Sequence, residues 1–336
     1  MITIKDVASK AGVSASTVSH VINNTRYVSE ETSAKVLETI KKLNYYQNSQ
    51  AKGLVTGKSH IIGLVVSDIT NPFFPELVRG VEKNAIQHGY EVFLFNTDYD
   101  SRRAAIITRK LIEQKVDGII IMTTEIEIGL VNNLTSVAIP LVLLDWGITG
   151  NLVSNIKENF MVGIDEAINH LVELGHKEIA FISGPLNLKT AITRKEAFLT
   201  SLNKYQGILT DPVIIEGDFK IEGGELAVTQ ILSSRKLPTA IFAANDLMAI
   251  GAINRIKNRG LRVPHDISVI GLDDIFIASK IDPPLTTINL PRYEIGKMAW
   301  RLLHRLIQNK MGGGREEVVD TRLVVRGSTT MSSLVI

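Results

Sequence analysis

The first two dozen residues carry two short apolar stripes separated by a single glycine, a spacing that few arrangements satisfy other than two short helices joined by a tight turn. Thr3 stands where a helix cap is needed, and Asp6 follows near the positive end of the first helix dipole. Val7, Ala8 and Ala11 are small enough to let a second helix cross closely, and Gly12 permits a left-handed turn. Ser14 caps the second helix, whose Val18, Val21 and Ile22 face inward, leaving Ala15, Ser16, Thr17, Ser19 and His20 outward. A capped amphipathic helix opens many ordinary domains, so the third segment decides. Residues 28–43 begin with Ser29 as cap, place acids first and lysines last, and align Val36, Leu37, Ile40 and Leu43 to close a three-helix core. A helix-turn-helix of this kind offers its second helix to the DNA major groove, where short polar side chains reach base edges and phosphates.

Charge is distributed accordingly. Residues 1–60 hold eight Lys/Arg and four Asp/Glu, a net +4 against +2 for the whole chain, so the remainder carries −2. Modest basicity at one end suits phosphate contacts whose strength falls with salt. The 336 residues are 45% hydrophobic and contain no cysteine, which excludes disulfides and Cys-based metal sites and fits a reducing compartment. No secretory leader precedes the first helix, and apolar runs such as 61–66 and 118–122 are strand-sized, too short to span a bilayer. A cytoplasmic protein with no membrane partner is the expectation.

From Ile61 the pattern becomes a βαβ rhythm. Strands are expected near 61–67, 91–96, 118–122 and 140–144, with helices near 74–88, 102–115 and 126–136. After a crossover near 160, strands follow near 178–182, 212–216, 239–243 and 267–271, with helices at 160–174, 190–205, 222–233 and 246–259. A helix at 292–309 and a strand at 321–326 weave back between the lobes. The fold class is therefore an all-α helix-turn-helix headpiece plus a two-lobed α/β core of parallel sheets flanked by helices. The divisions are a headpiece at 1–46, a hinge at 47–60 and a ligand-binding and dimerisation core at 61–336. Its N-lobe covers about 61–160 and 291–320, its C-lobe about 161–290 and 321–336.

In two-lobed α/β proteins the ligand lies between the lobes at the carboxyl ends of strands. Those ends hold Asn71, Phe73 and Phe74, then Asp145 and Trp146, Phe219, Asn245 and Asp273, while Thr190 and Arg194 open the helix after 183–190. The set suits a small polyol: rings stack on C–H faces, and Asp, Asn and Arg pair with vicinal hydroxyls, an arrangement that rejects analogues lacking a hydroxyl. Taken singly, Phe73 and Phe74 read equally well as core, Asn245 and Asp273 as caps and Arg194 as a solvated helix residue. The convergence of six strand ends favours a site.

Residues 2 to about 57 resemble the headpiece of the LacI/GalR family of bacterial repressors. The runs T-I-K-D-V-A, A-G-V-S, T-V-S and V-I-N stand in order, followed by Val28-Ser29, Leu43-Asn44-Tyr45 and Ala51-Lys52-Gly53-Leu54. The resemblance implies DNA contacts from Thr3, Ser14, Ala15, Ser16, Thr17, Ser19, His20, Asn23 and Arg26. It also implies a hinge, including Ala51, that becomes helical on DNA with Leu54 as a minor-groove wedge. Gln47, Lys52 and Val55 depart from the family pattern, and Gly53 costs about 1 kcal/mol in a helix. The core of the family resembles periplasmic sugar-binding proteins. Asn71, Phe73, Phe74, Asp145, Arg194, Phe219, Asn245 and Asp273 match sugar-contacting positions of ribose-binding proteins, with Trp146 and Asn289 as departures from arginine and glutamine. Asp145-Trp146-Gly147 also occurs in family members that sense purines, but Leu188 replaces the arginine that meets the base. The resemblance thus implies a regulator, a repressor, whose homodimer binds pseudopalindromic double-stranded operator DNA under control of a monosaccharide such as ribose. A global regulator whose core binds a phosphorylated carrier protein stays open beside it.

Enzyme signatures are missing. Residues 53–59 imitate a phosphate loop but have three residues between the glycines and precede a strand instead of following one. No H-E-x-x-H, G-x-S-x-G or G-x-G-x-x-G occurs; His88, His170 and His176 fall at helix ends or turns, where capping or solvation is expected; and Asp273-Asp274 diverge if on a strand. Catalytic residues, metal sites and cofactors are not expected.

Overall fold

The computed structural model describes residues 2–46, 58–123, 128–234, 237–308 and 312–332. The chain divides at Ser59 into two compact units.

In the first unit, helices α1 (Ile4–Ala11), α2 (Ala15–Asn23) and α3 (Glu30–Leu43) enclose a core of Val7, Ala8, Ala11, Val18 and Val36. The Thr3 amide and hydroxyl both donate to the Asp6 carboxylate at 2.7 Å, which holds that carboxyl below its usual range. Gly12 ends α1 at φ 67°, a left-handed conformation that costs a residue with a Cβ roughly 1–2 kcal/mol. Ser14 and Ser29 cap the next two helices by accepting from the amides of Thr17 and Thr32. Two expectations change. Ala15 is only partly exposed, packing one side against the small core, and Leu37 is 55% exposed while Thr39 takes the inward place, donating its hydroxyl to the Lys35 carbonyl at 2.8 Å.

The second unit contains two six-stranded sheets. The first has the order β11-β5-β4-β3-β1-β2, built from β1 (Ile61–Val66), β2 (Glu91–Asn96), β3 (Gly118–Met122), β4 (Leu141–Leu144), β5 (Val153–Asn159) and β11 (Glu316–Asp320). All its pairings are parallel, as in Ile62↔Gly118. The second has the order β12-β10-β9-β8-β6-β7: β6 (Ile179–Ser183), β7 (Val213–Glu216), β8 (Ala240–Ala243), β9 (Ser268–Asp273), β10 (Thr286–Asn289) and the antiparallel edge β12 (Arg322–Val324). Helices α4 (Phe73–Gln87), α5 (Ser101–Glu113), α6 (Ile128–Ser136) and α11 (Arg292–Gln308) belong with the first sheet. The second carries α7 (Phe160–Glu173), α8 (Lys189–Asn203), α9 (Ile221–Ile231) and α10 (Asp246–Asn258). Buried on both faces, β3 and β4 read as unbroken apolar runs.

Three strands absent from the sequence reading, β5, β10 and β11, are polar. Buried Asn155 on β5 accepts from the amides of Trp146 and Gly147 and donates to Glu316 at 2.8 Å. On β10, the fully buried Thr287 hydroxyl donates to Asp246. His176 is also buried, not solvated: its ring meets the Thr239 hydroxyl at 2.9 Å and the Thr330 carbonyl at 3.0 Å, tying the C-terminal segment to the second sheet.

Phe181, Phe198 and Phe242 form a fully enclosed aromatic cluster, with Phe181 and Phe198 stacked 4.3 Å apart. Phe198→Ala is expected to cost about 3–5 kcal/mol of unfolding free energy, a cavity-forming change, read by urea denaturation.

Candidate functional site

Because the strands of both sheets are nearly all parallel, their carboxyl ends gather on one side of each lobe, and the two sets face a common cleft. The cleft holds about 590 Å³ of empty space, open solvent at its mouth included. The first lobe contributes Asn71, Phe73 and Phe74 after β1, Asp145 after β4 and Glu158 at the end of β5. The second contributes Thr190, Arg194, Phe219, Asn245 and Asp273. Nine of the predicted effector residues therefore line one cavity.

Local structure explains the aim of each side chain. Asn71 accepts the Phe73 amide at 3.0 Å, closing a turn that presents Phe73 and Phe74 at the start of α4 with rings edge to face, 5.1 Å apart. Asp145, Phe219 and Asp273 have φ of 58°, 64° and 119°, so the backbone turns sharply where these strands stop. Non-glycine residues hold such angles only where surroundings enforce them, commonly at functional sites. For Asp145 the enforcement is visible: its Oδ1 accepts the Glu158 amide at 2.7 Å and its own amide donates to the Ile156 carbonyl. Gly184 leaves the volume that the Phe219 ring fills; a Cβ there would collide with the ring.

Arg194 is 6% exposed and organises the second lobe's wall. It donates to the Ala244 carbonyl at 2.6 Å and to Asp273 Oδ1 at 3.0 Å, and its guanidinium lies 4.9 Å from the Phe160 ring and 5.8 Å from Phe219. Its Nε is buried without a partner among the described residues. Asn245 is held on both sides, accepting the Met248 amide and donating to the Phe219 carbonyl at 2.9 Å each, so it caps α10 and borders the cavity at once. Burial raises the Asp273 carboxyl, opposed by Arg194 and Arg292. Arg292, at the start of α11, donates to Glu76 on α4 and to the carbonyls of Asp273 and Asp274, joining the two lobes.

Two predicted residues stand outside the lining. The Trp146 indole donates to the Thr123 carbonyl at 3.0 Å, and Asn289 donates to Asp274 at 2.8 Å, turned toward the Asp274–Arg326 pair. Asp273 and Asp274 do diverge, one to Arg194 and the other to Arg326. Sequence reasoning missed Glu158 and Tyr99 as lining residues, while Leu188, expected at the place of a base-contacting arginine, does line the cavity. Tyr99 follows the end of β2, a signal that was there to be used, whereas Glu158 ends the unrecognised polar strand.

In the headpiece, Ser16, Ser19, His20 and Asn23 follow helical spacing along α2. Ser16 is exposed and its hydroxyl contacts Ser14 at 2.7 Å; Thr17 is partly exposed. His20 meets the Thr25 hydroxyl at 2.9 Å, Asn23 donates to the Ser19 carbonyl at 3.0 Å, and Arg26 is exposed. Thr3 and Ser14 act as caps. Ala51 and Leu54 lie outside the described residues. Among the described residues no cluster of three metal-ligating side chains occurs, and no helix is long and apolar enough to cross a membrane.

A helix-turn-helix unit followed by a two-lobed, parallel-stranded binding core defines a ligand-responsive DNA-binding regulator. The chain belongs to the lacI family of bacterial regulatory proteins, whose pattern matches residues 3–48, and a periplasmic binding protein-like domain matches residues 168–329. It is 39% identical over 330 residues to the ribose operon repressor of Escherichia coli (strain K12), covering 98% of this chain and 100% of that protein. It is likewise 39% identical over 331 residues to the transcriptional repressor PurR of Histophilus somni (strain 129Pt), with 98% and 99% covered. Among solved structures, the lac repressor dimer bound to operator and the anti-inducer ONPF superposes with a TM-score of 0.85 at 31% identity, covering 98% of this chain and 99% of that one. A LacI family transcriptional regulator from Enterococcus faecium with bound ribose gives 0.73 at 32% identity, with 81% and 99% covered.

Asp246 lies fully buried behind Asn245, accepting the Ile275 amide at 2.8 Å and the Thr287 hydroxyl at 2.5 Å. Burial, reinforced by the charge of Asp273, pushes its carboxyl up to about 7. The folded state thus holds this proton more tightly than the unfolded chain, where an aspartate titrates near about 3.9. The resulting stability is complete below the unfolded value and is lost as pH rises through about 7. Asp246→Asn is expected to lower stability overall, since one acceptor is lost, yet to flatten its decline between pH 6 and 8 by about 1 kcal/mol. Urea denaturation at those pH values checks it.

Proposed function

We propose that the chain is a repressor whose operator affinity is set by a monosaccharide, with ribose as the first choice. The observation that carries this reading is the cleft itself: aromatic faces from Phe73, Phe74 and Phe219 beside Asp145, Glu158, Arg194, Asn245 and Asp273, all on converging strand ends. Such a set stacks on the C–H face of a sugar and exchanges paired hydrogen bonds with its hydroxyls. The relative named for the ribose operon and the family structure with bound ribose support the same assignment.

In this reading residues 1–46 bind double-stranded DNA through Ser16, Thr17, His20 and Arg26, residues 47–60 are the hinge, with Ala51 and Leu54 as its DNA-binding residues, and residues 61–336 sense the ligand and dimerise. The lac repressor dimer on its operator supports a homodimer on a pseudopalindromic site, since a symmetric site asks for a symmetric protein. The protein acts in the cytoplasm and catalyses no reaction. Coupling between ligand and operator is reciprocal: each alters the affinity for the other by the same factor.

The kinship to PurR is as close in identity, which makes a purine the specific rival. Leu188, 8% exposed on the cavity wall, offers a purine base no hydrogen bond. The discriminating experiment is thermal unfolding with ribose, other pentoses and hexoses, hypoxanthine and guanine. Ribose near 100 times its Kd is expected to stabilise by about 2.7 kcal/mol, several degrees in Tm, and the purines not at all. A shift with a purine alone overturns the sugar assignment. For the head, Ser16→Ala with His20→Ala is expected to remove about 1–3 kcal/mol of discrimination per lost base contact while salt-dependent non-specific binding persists. Titration of specific and scrambled duplexes measures both.

A further inference from the structure

The acidic side of the cleft holds more carboxyl groups than its cations can balance. Among the described lining residues Asp145, Glu158 and Asp273 are acids and Arg194 is the cation, and Arg194 already pairs with Asp273 at 3.0 Å. Asp145 and Glu158 are left side by side on the same wall. The Glu158 amide donates to Asp145 Oδ1 at 2.7 Å, which fixes the two acids next to each other at one cavity. Glu158 is 5% exposed, and its Oε1 is buried with no donor among the described residues. A carboxylate oxygen in that position is costly to keep charged, while a neutral acid satisfies its partner by donating from the other oxygen.

We propose that Glu158 stands in the cleft as a neutral carboxylic acid donating to the Asp145 carboxylate, and that this pair restricts the site to uncharged polyols, rejecting sugar phosphates and sugar acids. The proposal rests on the sugar reading of the cleft. The phosphate or carboxylate group of an anionic ligand would meet Asp145 with like charge and offer the buried carboxyl oxygen no proton of its own, whereas every hydroxyl of a neutral sugar both donates and accepts. Burial and the neighbouring Asp145 charge both push the Glu158 carboxyl up. The other charged groups around the pair are Lys189 and Arg194 from α8, which favour ionisation, and Asp273 at the end of β9, which opposes it. Removing the proton leaves a buried charge on Glu158 beside the half-buried charge of Asp145, so sugar affinity falls as pH rises through the titration of the pair.

Two measurements on the full chain test this. Infrared difference spectra in deuterated buffer near neutral pH, wild type against Glu158→Gln, are expected to show the carbonyl stretch of a protonated carboxyl in the wild type that the variant lacks. No such band overturns the neutral acid, whether or not a sugar binds. Calorimetric titration then uses ribose and ribose 5-phosphate as probes. Wild type is expected to favour ribose by roughly 100-fold or more and to lose about tenfold in ribose affinity for each pH unit above the pair's titration, while Glu158→Gln shows a flat pH profile whatever its absolute affinity. Equal binding of the phosphate, or the same pH profile in both proteins, overturns the selection. Failure of ribose and of the other pentoses and hexoses to bind at any pH, with the infrared band present, overturns the sugar reading and leaves the protonated pair standing.

Discussion

The buried guanidinium of Arg194 is the interaction on which the binding core depends. A cation at 6% exposure persists only if its charge is met, and here Asp273, the Ala244 carbonyl and two phenyl faces meet it, with Nε alone left unpartnered among the described residues. That requirement ties α8 to the ends of β8 and β9, and it holds Asp273 in a backbone conformation that an aspartate rarely adopts. Phe219, also turned back on itself after β7, closes over the same group. The second lobe's wall is therefore one interlocked unit, in which moving any member leaves a buried charge or an empty space.

The first lobe solves the opposite problem. Its cleft residues include two acids beside aromatic rings and Asn71, with no cation among them, so a proton takes the part that Asp273 plays for Arg194. The two walls differ in what they offer: a charged donor already paired with Asp273 on one side and an acidic pair able to accept hydroxyl protons on the other. A ligand with alternating donors and acceptors fits between them; one carrying a net charge disturbs one wall or the other.

Much of this was legible in the chain. The helix-turn-helix announces itself because its caps, its small crossing residues and Gly12 all act locally, within three or four positions of the groups they serve. The central strands are equally plain, since burial on both faces forces the unbroken runs at 61–66 and 118–122. Nine cleft residues could be found because parallel strands deliver their carboxyl ends to a common place. What escaped depends on distant partners. Asn155 is tolerable on a buried strand only because Glu316, 161 residues later, accepts from it, and His176 is buried because Thr330 supplies a carbonyl from the C-terminal segment. With β5 unseen, Glu158 was unseen too. Leu37 was misplaced, and Ala15 partly so, because a three-helix core is so small that crossing angles, which no periodicity states, decide which side chain turns inward.

Arg292 has a mechanical consequence. It grips Glu76 in one lobe and the carbonyls of Asp273 and Asp274 in the other, so one planar fork bridges the two lobes. Any force on the Asp273 and Asp274 carbonyls therefore reaches α4, which carries Phe73 and Phe74, through a single side chain and not through a relay of packed residues.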